Sequence, residues 1–102
     1  MNKIIENNKT ELAKLCKKYQ VQKLEVFGSV VRDDFVMNQS DIDFMVEFTP
    51  DGIKQYADNY FGLLDALRQL FDHSVDLVVR SSVRNPYFLE SIENNSAALY
   101  AA

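Results

Sequence analysis

The chain has 102 residues, 47% hydrophobic and 25% charged, with a net charge of −4; this is the make-up of one globular domain, 1–102, with enough chain for a core. That acidic balance, with no basic run beyond Lys14, Lys17 and Lys18, argues against a DNA-binding face, and neither a membrane-length apolar run nor a signal-peptide pattern is present. The lone Cys16 excludes an internal disulfide and points to a reducing cytoplasm.

The first predicted element is an amphipathic helix over 3–19, whose stripe is Ile5, Leu12, Leu15, Cys16 and Tyr19. Cys16 reads there as core filler. A strand over 23–27 follows, with Leu24, Val26 and Phe27 apolar, until Gly28 breaks it and Ser29 opens a short helical turn over 29–33. A strand, a glycine and a helix N-terminus leave backbone N–H groups pointing outward, a cradle for phosphate. Gly28 admits a ligand close to the backbone, and the Ser29 hydroxyl adds a donor. Arg32 reads equally as a phosphate contact or as the partner of Asp33 or Asp34.

The second strand, over 41–48, carries the most informative pattern, Ser40-Asp41-Ile42-Asp43-Phe44. Side chains alternate across a strand, so Asp41 and Asp43 share one face while Ile42 and Phe44 enter the core. Paired carboxylates repel and resist burial, which calls for a cation, and Mg²⁺ is the hard ion that shares such sites with phosphates. Thr49-Pro50-Asp51-Gly52 reads as a turn. A helix over 57–72 follows, with Tyr60, Leu63, Leu64, Leu67, Leu70 and Phe71 at helical spacing; Tyr56 and Tyr60 are assigned to packing. His73 ends it as a cationic partner of the helix C-terminus.

The third strand, 75–79, is apolar apart from Asp76. Three carboxylates on neighbouring strands can hold a pair of metal ions about 3.5–4 Å apart, the spacing used for in-line phosphoryl or nucleotidyl transfer. Arg80 is assigned to solvent ahead of nucleotide. Asn85-Pro86 caps a last helix to about residue 94, where Tyr87 and Phe88 are expected to pack. Ile92 and Leu99 are read as exposed apolar positions of that helix, a weak hint of association.

Gly28-Ser29 at a strand-to-helix turn, Asp41-Ile42-Asp43 on a strand and Asp76 on a later one resemble, in that order, the nucleotidyltransferases of the DNA polymerase β superfamily. The branch they are most similar to is the minimal nucleotidyltransferases (MNT). The resemblance runs from about Leu24 to Val79, with suitable helices on either side. It departs from the usual pattern in a slightly longer gap, Val30 to Ser40, before Asp41, and in Arg32-Asp33 where many members carry Arg-Gly; the extra residue falls in the loop 33–39.

The resemblance implies an α+β polymerase β-type fold, a small mixed β-sheet flanked by helices. It implies transfer of AMP from ATP with a pair of Mg²⁺ ions. Asp41 and Asp43 would bridge the ions, and Asp76 would hold one beside the attacking hydroxyl and take its proton. Gly28 and Ser29, with Arg32 and Ser40, would bind the nucleotide. The family also implies a role as a type VII-like antitoxin that AMPylates a tyrosine of a HEPN-domain ribonuclease toxin and forms a hetero-oligomer with it. Alternatives remain open: an antitoxin that neutralises by binding alone, a transferase acting on a small hydroxylated molecule, or one subunit of a larger transferase.

Overall fold

The computed structural model describes residues 3–32 and 40–102. The predicted N-terminal helix is two helices, α1 (Lys3–Glu6) and α2 (Lys9–Lys18). The Asn8 side chain donates to the Ile4 carbonyl at 2.7 Å, and asparagine competing in this way for backbone groups interrupts the helix before α2 begins. Strand β1 (Val21–Phe27) starts earlier than predicted, directly after Gln20 turns the chain at a φ of 58°. Helix α3 (Ser29–Arg32) and strand β2 (Ile42–Phe48) follow; the loop 33–39 lies outside the described residues.

The predicted turn at Thr49–Gly52 is instead the start of a short helix, α4 (Pro50–Lys54). Thr49 accepts a hydrogen bond from the Gly52 N–H at 3.0 Å, and Pro50 takes the first turn, where a missing N–H is harmless. Helix α5 (Tyr56–Phe71) stops at Asp72, which is left-handed with a φ of 48°. Strand β3 (Val75–Val79), a 3₁₀ turn at Arg80–Ser82 and helix α6 (Pro86–Asn94) come next. Asn85 caps α6 by accepting from the N–H groups of Tyr87 and Phe88.

The chain closes on a strand absent from the sequence reading, β4 (Ser96–Ala101). The sheet order is β3-β2-β1-β4, with β1 antiparallel to both neighbours and β2 parallel to β3. This is the expected mixed α+β sheet, one strand wider. Leu99 therefore belongs to β4, where it packs against the core with Ala97 and Tyr100, and Ile92 is only 3% exposed. Neither supports the association suggested for them. Tyr87 and Phe88, expected to pack, are 82% and 51% exposed.

Ile42 and Phe44 are fully buried with Leu24, Val26, Leu12, Cys16, Leu63 and Leu67, so α2 and α5 cover one face of the sheet. Burying each large aliphatic or aromatic side chain there contributes about 1.5–3 kcal/mol. Burial pushes the Cys16 thiol up to about 12, which leaves it an unreactive core residue. Among the described residues, no helix is long and apolar enough to cross a membrane.

Candidate functional site

The core-facing alternation of β2 leaves Asp43 on the opposite face, and strand pairing gives it two informative neighbours. Phe27, the last residue of β1, lies across from Asp43 on one side, and Asp76 lies across from it on the other. Gly28 follows Phe27 and turns the chain into α3 with a φ of 77°. It is so close to β2 that a Cβ added to it would overlap a carboxylate oxygen of Asp43. Asp41 is exposed just before β2, next to the half-buried Ser40, and Asp76 is exposed on the edge strand. Ser29 and Arg32 begin and end α3.

Electrostatics ties the group together. The Asp43 carboxyl is pushed up to about 6, first by burial, then by the negative charges of Asp76 and Asp41, with Arg32 pulling the other way. Asp33 and Asp34, the other partners considered for Arg32, lie outside the described residues. Among the described residues, no set of three or more His, Cys, Asp or Glu side chains is gathered tightly enough to cage a metal by itself. The donor chemistry nevertheless fits Mg²⁺. The three acids offer only hard carboxylate oxygens, and their mutual repulsion at Asp43 is of the kind a divalent cation would relieve.

Helix α6 closes this region from the far side. A cleft of about 160 Å³ lies between Gly28, Arg32 and Asp43 on one wall and Phe88, Ser91 and Asn95 of α6 on the other. The α6 residues were missed in the sequence. Their spacing of three and four residues places them on one helix face, but that signal does not distinguish a cleft wall from a packing stripe. A larger groove of about 380 Å³, bordered by Phe48, Ile53, Tyr56 and Val79, opens at the other end of β2 and β3 and includes none of the three acids. Arg80, assigned to solvent, is instead paired with Glu93 of α6 and lies 4.0 Å from Glu47 of β2, so it fastens α6 to the sheet. His73 lies beyond the end of α5, with Nδ1 3.0 Å from the Ser74 carbonyl.

Tyr60 of α5 donates its hydroxyl to the Leu77 carbonyl at 2.7 Å, pinning β3 one residue past Asp76. Burial raises its pKa, with Tyr56 and Asp76 adding to the effect. Tyr60→Phe removes this bond and is expected to lower stability by about 1 kcal/mol, measured as a lower urea midpoint at unchanged slope. An unchanged midpoint would show that β3 does not depend on it.

Residues 9–99 match the family described as nucleotidyltransferase domain. A relative in Methanocaldococcus jannaschii, named as a candidate protein adenylyltransferase, is 41% identical over 83 residues, 79% of each chain. A solved structure described as a minimal nucleotidyltransferase superposes with a TM-score of 0.76 at 23% identity, covering 95% of both chains. A chain of the complex between the tri-AMPylated HEPN toxin of Shewanella oneidensis and its MNT antitoxin superposes with a TM-score of 0.62 at 22% identity, over 96% of this chain and 73% of that one. Both superpositions are likenesses of fold.

Proposed function

The chain belongs to the nucleotidyltransferase domain family, and we propose that it is a minimal nucleotidyltransferase of the DNA polymerase β-like superfamily that transfers AMP from ATP to a tyrosine of a HEPN-domain toxin, which it thereby neutralises. The observation that carries this reading is Asp43 itself. It stands between Gly28 and Asp76, with its ionisation opposed by two other acids. The partner is supported by the relative named for protein adenylylation and by the fold shared with the MNT antitoxin of an AMPylated HEPN toxin. Residues 1–102 act as one nucleotidyltransferase domain, and a lone cysteine that can form no internal disulfide suits the cytoplasm.

In this reading, Asp41, Asp43 and Asp76 are the residues that would hold a pair of Mg²⁺ ions. Bound Mg²⁺ supplies positive charge against the negative charge that builds on the α-phosphate and the departing pyrophosphate. Gly28 and Ser29 cradle the β- and γ-phosphates with N–H groups of the first turn of α3, and Arg32 and Ser40 flank the same phosphates. Asp76 takes the proton of the attacking tyrosine hydroxyl. The new bond joins that oxygen to the α-phosphorus, and the bond to the bridging oxygen breaks as pyrophosphate leaves.

Intact-mass spectrometry of the protein with Mg-ATP and the product of its neighbouring gene tests this directly. The expected result is a gain of one or more AMP units on the neighbour, lost on chelation by EDTA and lost in the Asp41→Ala, Asp43→Ala variant. A stable complex with no mass gain would overturn the catalytic reading in favour of neutralisation by binding.

A further inference from the structure

We propose that the face of α6 bearing Phe88, Ser91 and Asn95 is the nucleobase-binding wall of the site, with Phe88 as its stacking platform. This rests on the nucleotide reading of Gly28 and Asp43, and adds to it the element that grips the part of the nucleotide remote from the reacting phosphate. The cleft itself carries the argument: its sheet-side wall is Gly28, Arg32 and Asp43, and its other wall is this helix face. A triphosphate seated on the first wall extends its nucleoside within reach of the second.

The chemistry of that second wall suits a base. Phe88 is 51% exposed, although Ile92 on the same helix is 3% exposed and anchors it. An aromatic face left in water beside the cleft that holds Arg32 and Asp43 matches a flat π-system, and base–aromatic stacking contributes about 1–3 kcal/mol per base. The Ser91 hydroxyl and the Asn95 amide, both exposed on this face, add donors and acceptors for a base edge.

The platform is also held in place before any ligand arrives. Asn85 accepts from the Phe88 N–H at 3.3 Å and the Tyr87 N–H at 2.9 Å, fixing the start of α6. Arg80 and Glu93 pair to tie the last turn of the helix to the end of β3. Asn95 donates its side-chain amide to the Ser91 carbonyl at 2.9 Å, which holds the last turn. A helix backbone fixed in advance does not have to be ordered on binding, so more of the stacking energy is retained as affinity.

Calorimetric titration of the intact protein with Mg-ATP and, separately, with Mg-tripolyphosphate tests the proposal, since the second probe has the phosphates without the base. Phe88→Ala is expected to weaken Mg-ATP binding roughly ten- to hundredfold and to leave tripolyphosphate binding unchanged. Phe88→Tyr should bind both as the parent does, and Tyr87→Ala, at the neighbouring and 82% exposed position, should do the same. If Phe88→Ala binds Mg-ATP like the parent, or loses both probes equally, the base-wall assignment is overturned while the phosphate site stands. If the parent protein binds neither probe, the nucleotide reading fails and takes this proposal with it.

Discussion

Replacing Asp43 by asparagine should reduce nucleotidyl transfer by about three orders of magnitude and at the same time make the fold more stable. Both effects follow from the same arrangement. The carboxylate lies between Gly28 and Asp76 and in the field of Asp41, so that burial and these charges push its pKa up to about 6 from its ordinary 3.8. An amide keeps the shape of the side chain and removes the charge that a cation would need.

The sign of the stability change follows from linkage. Above pH 6 the folded protein holds Asp43 ionised where burial and two like charges oppose it, and the unfolded chain does not bear that cost. As pH falls from about 6 towards 3.8, the fold takes up a proton that the unfolded chain does not, and the penalty disappears. The full shift corresponds to about 3 kcal/mol, and solvent screening at this partly exposed group reduces it to roughly 1–2 kcal/mol. The variant should therefore melt roughly 5–10 °C above the parent at pH 7.5 in EDTA, with the gap closing towards pH 4. Added Mg²⁺ should raise the melting temperature of the parent and leave the variant unmoved. A variant less stable than the parent at every pH would show that the Asp43 carboxylate makes a favourable contact, and undiminished transfer would remove it from the chemistry.

The parts of the site that could be read in the sequence rest on local rules. Strand alternation alone sends Ile42 and Phe44 into the core and Asp43 to the other face, and a lone acid in Val75–Val79 stands out against its apolar neighbours. Pairing across strands is a long-range event, so nothing in either segment announces that Asp43 and Asp76 fall opposite each other. Strand β4 was hidden for a related reason. Ser-Ala-Ala-Leu-Tyr-Ala favours helix by intrinsic propensity, and it becomes a strand because β1 has a free edge to pair with and a core for Ala97, Leu99 and Tyr100 to cover. The α6 wall needed both the helix and its placement. Asn85-Pro86 marked the start of the helix correctly, but only the tie from Arg80 to Glu93 and the burial of Ile92 place it over the cleft.

Gly28→Ala should impair both folding and transfer, and the two losses can be separated. Any L-residue at a φ of 77° is strained, at a cost of about 1–2 kcal/mol. The added Cβ would also meet the Asp43 carboxylate, which can make room only by rotating away from its place beside Asp76. The strain belongs to Gly28 alone, and the collision belongs to the pair. In a background carrying Asp43→Ala, the alanine at position 28 should therefore cost only the strain, and the two substitutions should be less destabilising together than the sum of their separate effects predicts. Transfer should fall at least tenfold in the single Gly28→Ala variant, because the displaced carboxylate is the one proposed to hold the metal. Urea midpoints of the four proteins in EDTA complete the cycle. Equal destabilisation by Gly28→Ala in both backgrounds would mean that the glycine is needed for its backbone angle only, and that the close approach of Gly28 to Asp43 does not shape the site.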